Sequence, residues 1–151
     1  MDREQFWSII QSVQTAAPQD MEKRESLLKE ELQKLDAETI VAFQNHWDRL
    51  SANAYTWDLW AAAFIIQGGC SDDSFMDFIS CLISEGKKAY EDALQNPETL
   101  ASVIRERNPE DMFYECIQYV PAVVYEEKTG EEWDEDTVDH KYPGLAQKFG
   151  C

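Results

Sequence analysis

Histidine is nearly missing from this 151-residue chain, which has only His46 and His140. Glycine and proline number six and five, and no repeat, low-complexity tract or interdomain linker appears. Cysteines stand at 70, 81, 116 and 151 with no CxxC pair, so the sequence spells neither a zinc ribbon nor a disulfide framework. Reduced thiols in the cytoplasm are the expectation. The longest apolar run, residues 59–66, falls far short of the roughly 18 residues that span a bilayer, and MDREQFWSII lacks the charge and apolar length of a secretion signal. Bases are scarce too: 13 against 30 acids leave a net charge of -17. A field of that sign repels nucleic-acid phosphates and anionic lipid and attracts basic proteins or cations. The expectation is a basic protein partner, with no direct binding of nucleic acid and no membrane.

What is present suits a folded globule. Hydrophobic residues make up 44% and aromatics 12% of the chain, and one domain of this length buries roughly 68–70% of its unfolded surface. Phe6, Ile9, Ile10, Val13 and Ala17 recur at helical spacing before Pro18. Asp20 is placed to cap a second helix with Met21, Leu28, Leu32 and Leu35 on one stripe. Asp36 caps a third that turns Ile40, Phe43, Trp47 and Leu50 inward and runs to Ala54. Thr56 and Ser71 read as caps of a fourth and a fifth helix, the latter with Phe75, Phe78, Ile79 and Leu82 on its apolar face and Gly86 at its end. A sixth carries Tyr90, Ala93 and Leu94. Asn96-Pro97-Glu98 and Asn108-Pro109-Glu110 repeat one start signal, cap, proline and acid, for a seventh and an eighth. Pro121 predicts a kink in the eighth.

The stretch YTWDLWAAAFIIQGGCSDDSF, residues 55–75, is the most distinctive. Between Trp57 and Ile66 every residue except Asp58 is apolar, on all sides of a helix, which predicts a central buried rod. Trp57, Trp60 and Phe64 then form a core stripe. Asp58, Asp72 and Asp73 fall in first helical turns, where a carboxylate meets the positive end of the helix dipole. Gly68 and Gly69 suit a left-handed helix end. A phosphate site at that corner is disfavoured by the two adjacent aspartates, and no metal-ligand spacing supports a metal or cofactor. Cys70 with His46 as a base is a conceivable nucleophilic pair, but His46 lies beside Phe43 and Trp47, as a core histidine would. Residues 126–139 hold eight acids and one base around Trp133. They read as a solvated arm, pinned by Trp133, Tyr142, Leu145 and Phe149, or as a hook for a basic partner through Glu131, Glu132, Trp133, Asp134, Glu135 and Asp136.

FW at positions 6 and 7, AYTWDLWAAAFIIQGGCSDDSF at 54–75 and FISCLISEG at 78–86 followed by Lys87 together resemble a bacterial family of unknown function, DUF4240. The resemblance covers roughly residues 3–130. It implies a mostly helical cytoplasmic domain and marks Trp57, Asp58, Leu59, Trp60, Gly68, Gly69, Cys70, Ser71, Asp72, Asp73 and Phe75 as signature positions, without implying a chemistry. Members of the family often carry glycine at position 74, an FRxWLI run at 78–83 and arginine at 87, so this chain lacks a cation at 79 that could have paired with the signature aspartates.

The expected fold is all-α: a compact single-domain bundle of about seven or eight helices around a central apolar helix, with the domain at 1–130 and an acidic irregular extension at 131–151. The expected function is non-enzymatic binding of a basic protein, in the manner of an antitoxin, an immunity protein or a nucleic-acid mimic. The alternatives are an enzyme or metal-dependent domain built on His46, Asp58, Cys70, Asp72 and Asp73, and an oligomeric scaffold subunit.

Overall fold

The computed structural model describes residues 1–105 and 107–133. Among them the chain forms no strand and eight α-helices: α1 Arg3–Ala16, α2 Met21–Gln33, α3 Ala37–Ala54, α4 Trp57–Gln67, α5 Asp72–Ser84, α6 Lys87–Gln95, α7 Leu100–Ile104 and α8 Val120–Thr129. The all-α architecture is the one expected. The side chains of Asp20, Asp36, Thr56 and Ser71 each accept a hydrogen bond from the backbone N–H three residues on, supplying a partner that the first helical turn lacks. Phe6, Ile10, Val13 and Ala17, then Leu28 and Leu32, then Ile40, Phe43, Trp47 and Leu50 are buried together, so these three stripes face the core as their spacing predicts.

The centre of the molecule is α5, not α4. Phe75 and all residues from 78 to 84 are buried, and α5 packs against α1, α3, α4 and α6. Its small residues Ser80, Cys81 and Ser84 let neighbouring helices close in, and the Ser84 hydroxyl is satisfied by donating to the Cys81 carbonyl at 2.7 Å.

α4 buries only Leu59 and Ala63, while Trp57 is 86% and Ile65 80% exposed and Phe64 is exposed as well. The central apolar rod and the Trp57–Trp60–Phe64 core stripe are therefore corrected: α4 is a surface helix. A helix that is apolar all round has no preferred direction, so its burial depends on how much core the other helices leave uncovered. Here α1, α3 and α5 pack on one another while α8 closes on α2 and α3, and α4 meets α5 and two 3-10 turns along one narrow side.

The predicted eighth helix is also corrected. The chain after Asn108 makes 3-10 turns at Pro109–Phe113 and Ile117–Tyr119, and a regular helix starts only at Val120, with Pro121 in its first turn. Proline clashes with the carbonyl four residues earlier, so it opens this helix instead of kinking a longer one. Asn96 likewise opens a 3-10 turn, Pro97–Thr99, which leads into α7. Gly86 stands between α5 and α6 at φ +110, a conformation that disfavours a side chain, and a Cβ there would come within 2.8 Å of Gln11 Oε1.

One ionic knot ties these elements together. Arg24 on α2 is fully buried. It donates to the carbonyls of Ala17 and Pro18 at the end of α1, to Ser84 Oγ at 3.0 Å and to Glu85 Oε1 at 2.9 Å. Arg107 reaches the same Glu85 oxygen from the segment after α7. The sequence showed Arg24 only as one charge among many on α2.

Candidate functional site

The end of α3, α4 and the start of α5 bring most of the signature residues together. Tyr55, just after α3, donates its hydroxyl to Asp72 Oδ1, and that bond raises the Tyr55 pKa above its ordinary value. Its ring meets Trp60 edge-on at 5.8 Å and Phe75 at 5.2 Å, and Trp60 in turn contacts Phe75 at 4.9 Å and Trp57 at 6.3 Å. The result is an aromatic chain that runs from the buried Phe75 outward to the exposed Trp57.

The polar signature residues sit at helix ends, where Ser71 Oγ accepts from the Ser74 backbone N–H. Asp58 lies in the first turn of α4, and Asp72 and Asp73 lie in the first turn of α5. Gly68 and Gly69 both donate backbone N–H bonds to the Phe64 carbonyl at 2.9 Å. A Cβ at either glycine would meet nothing within 4 Å, so conformation and not space for a ligand selects glycine; Gly68 has φ +79. Cys70 Sγ lies 3.5 Å from the Ser71 carbonyl. Partial burial raises the Cys70 pKa, which opposes the thiolate that a nucleophile needs.

His46 is engaged elsewhere. Its Nε2 lies 3.0 Å from the Met1 carbonyl and its ring 5.7 Å from that of Phe6. It precedes Tyr55 by about 13 Å of helical rise. Among the described residues no three His, Cys, Asp or Glu side chains gather to hold a metal ion. Glu131 and Glu132 are exposed. Trp133 is anchored by its backbone N–H to Glu126 Oε1 at 2.9 Å and by an edge-on contact with Tyr125 at 5.2 Å. Asp134, Glu135 and Asp136 lie outside the described residues, as do His140, Tyr142, Leu145, Phe149 and Cys151.

Beside α4 lies an open groove of about 420 Å³, whose other wall is the Pro97–Thr99 turn and α7. Its floor is apolar, with Ala62, Ile65 and Ile66 facing Leu100 and Ile104, and Asp58 and Glu98 stand in its wall. Both acids are exposed. Of the residues singled out by sequence, Asp58 alone belongs to this groove. Ile65 and Glu98 were missed as site residues, because only the packing of the Pro97–Thr99 turn against α4 makes them neighbours. No helix among the described residues is long and apolar enough to cross a membrane.

Neither the curated proteins nor the solved structures gave a match. A family model described as a protein of unknown function, DUF4240, matches residues 1–127. That span takes in every helix from α1 to α7 and most of α8, including the whole aromatic corner, and the chain belongs to the DUF4240 family.

Proposed function

We propose that this domain is a non-enzymatic binding module that engages a basic protein segment along the outer face of α4. The observation that supports this reading is a helix with three large apolar side chains, Trp57, Phe64 and Ile65, turned to solvent beside an apolar groove walled by Asp58 and Glu98. Exposed aromatics beside an apolar floor are what a binding hot spot uses, and contiguous apolar surface on a soluble domain marks an interaction site. The net charge of -17 selects a cationic partner and disfavours a second copy of the same chain. The reading carries with it a reducing, cytoplasmic setting, supported by three unpaired thiols at Cys70, Cys81 and Cys116.

The test uses the full chain and two helical peptides with the same leucine stripe, one with lysines and one with glutamates on its polar side. The lysine peptide is expected to bind and quench tryptophan fluorescence, with an on-rate that falls steeply with salt. Ile65→Asp is expected to abolish binding while leaving the circular dichroism unchanged. Equal binding of the glutamate peptide, binding of neither peptide, or a native-mass dimer broken by Ile65→Asp would overturn the proposal.

A further inference from the structure

A second hollow shares no lining residue with the α4 groove. It is a cleft of about 760 Å³ bounded by α3, α5, the Ile117–Tyr119 turn, the start of α8 and Trp133. Tyr55, Met76 and Tyr119, all large and exposed, line it. Most of the other large hydrophobic side chains that the described residues leave exposed, Trp57, Phe64 and Ile65, lie on α4. Apolar surface gathered in one hollow marks a place where something packs.

The described chain stops in the wall of this cleft. Trp133, the last described residue, lines the hollow and is held on α8 by its backbone N–H to Glu126 Oε1 and by its edge-on contact with Tyr125. The residues that follow therefore start at the cleft. Residues 134–139, DEDTVD, are mostly acidic, and a segment of that length reaches at most about 22 Å. Residues 140–151, HKYPGLAQKFGC, reverse the composition: they hold two lysines and none of the chain's 30 acids, with Tyr142, Pro143, Leu145 and Phe149 as apolar side chains. They lie beyond residue 127, where the family match stops.

This segment complements the cleft in both respects. Its apolar side chains suit a hollow lined by Tyr55, Met76 and Tyr119. Its lysines suit a rim where Asp48 stands exposed and where Asp72, also exposed, accepts the Tyr55 hydroxyl bond. A second copy of the chain would instead bring another net charge of -17. A short tether holds the segment at about millimolar local concentration, so weak apolar contacts suffice to seat it. We propose that residues 140–149 of this chain dock in the cleft between α3, α5 and α8 and close it in cis, with Leu145 and Phe149 against Met76 and Tyr119. The docking does not depend on the α4 groove, which it leaves open.

The experiment uses the full-length protein with isotope-labelled methyl groups and aromatic rings. Nuclear Overhauser contacts are expected from the Leu145 methyls to Met76 or Tyr119, within one molecule when labelled and unlabelled chains are mixed. Leu145→Asp with Phe149→Asp is expected to shift the Met76 methyl signal and to leave the circular dichroism unchanged. A synthetic peptide of residues 138–151 is expected to bind that variant at least about tenfold more tightly than the unaltered chain, whose own segment competes for the cleft. Ala122→Asp, in the cleft wall, is expected to weaken the peptide, whereas Ile65→Asp on α4 is expected to leave it unchanged. Four outcomes would overturn the proposal: no Leu145 contact with the cleft, contact with Ile65 or Leu100 instead, contact only between labelled and unlabelled chains, or equal binding of the peptide to the variant and the unaltered chain.

Discussion

Replacing Glu85 by glutamine should cost this domain more than any other single-atom change to an ionisable group described above. The substitution keeps the side-chain volume and one acceptor oxygen but removes the negative charge that Arg24 and Arg107 share. Arg24 and Glu85 have side-chain exposures of 0% and 5%, so water cannot take over the lost role. Removing one partner of a buried pair costs about 3–5 kcal/mol, because the remaining charge is left uncompensated. Glutamine still accepts a hydrogen bond, which places the expected loss near the lower end, about 3 kcal/mol. At about 2–4 °C per kcal/mol, that lowers the melting temperature by about 6–12 °C. With a urea slope of about 2 kcal/mol/M, it moves the midpoint by about 1.5 M. Urea unfolding followed by circular dichroism at neutral pH measures the loss. The matched control is Asp92→Asn, which breaks the exposed Lys88–Asp92 pair, 3.1 Å apart, and should cost less than about 0.5 kcal/mol. Adding Arg107→Met to the Glu85→Gln protein should recover stability, since it removes one of the two stranded cations. A loss under about 1 kcal/mol for Glu85→Gln, equal to that of the control, would refute the knot as a determinant of stability.

Trp57→Ala should change stability by no more than about 0.5 kcal/mol, whereas Leu59→Ala on the same helix should cost about 2–5 kcal/mol, and thermal melts of the two variants test the surface placement of α4 directly. Tyr90 donates to the Leu50 carbonyl at 2.6 Å, and burial pushes its pKa up to about 12 from an ordinary 10.0. Its contribution is therefore complete below pH 10.0 and is lost as pH rises toward 12, because the unfolded tyrosine ionises first. Tyr90→Phe should lower stability by about 1 kcal/mol at neutral pH and flatten the alkaline decline, as read by unfolding curves collected across that window. Gly68→Ala should destabilise by about 1–2 kcal/mol through the left-handed backbone at that position, with no effect on binding in the neighbouring groove, in paired melting and peptide titrations.

The starts of the helices were legible in the residues because capping is local chemistry. Asp20, Asp36, Thr56 and Ser71 each bond a backbone N–H three positions away, a distance that tertiary structure cannot alter. The same holds for the left-handed turn at Gly68 and for the one-sided stripes of α1, α2 and α3. The 3-10 turns after Asn96 and Asn108 were less legible, since asparagine, proline and acid announce a start without stating how far the helix continues. The two hollows were not visible in the sequence at all. Ile65 faces Leu100, and Trp47 shares a wall with Tyr119 and Trp133, across separations for which no motif spacing exists.

What the sequence determined by itself was therefore the helical class, the starts of α2, α3, α4 and α5, and the sign of the protein's field. Tertiary structure decided which helix occupies the middle. α4 is the more apolar helix, but α5 carries phenylalanine and isoleucine together with the small residues Ser80, Cys81 and Ser84, so neighbours approach it closely from several sides. Burial follows the sum of contacts a helix can make with all its neighbours, and that sum is not a property of the helix's own residues.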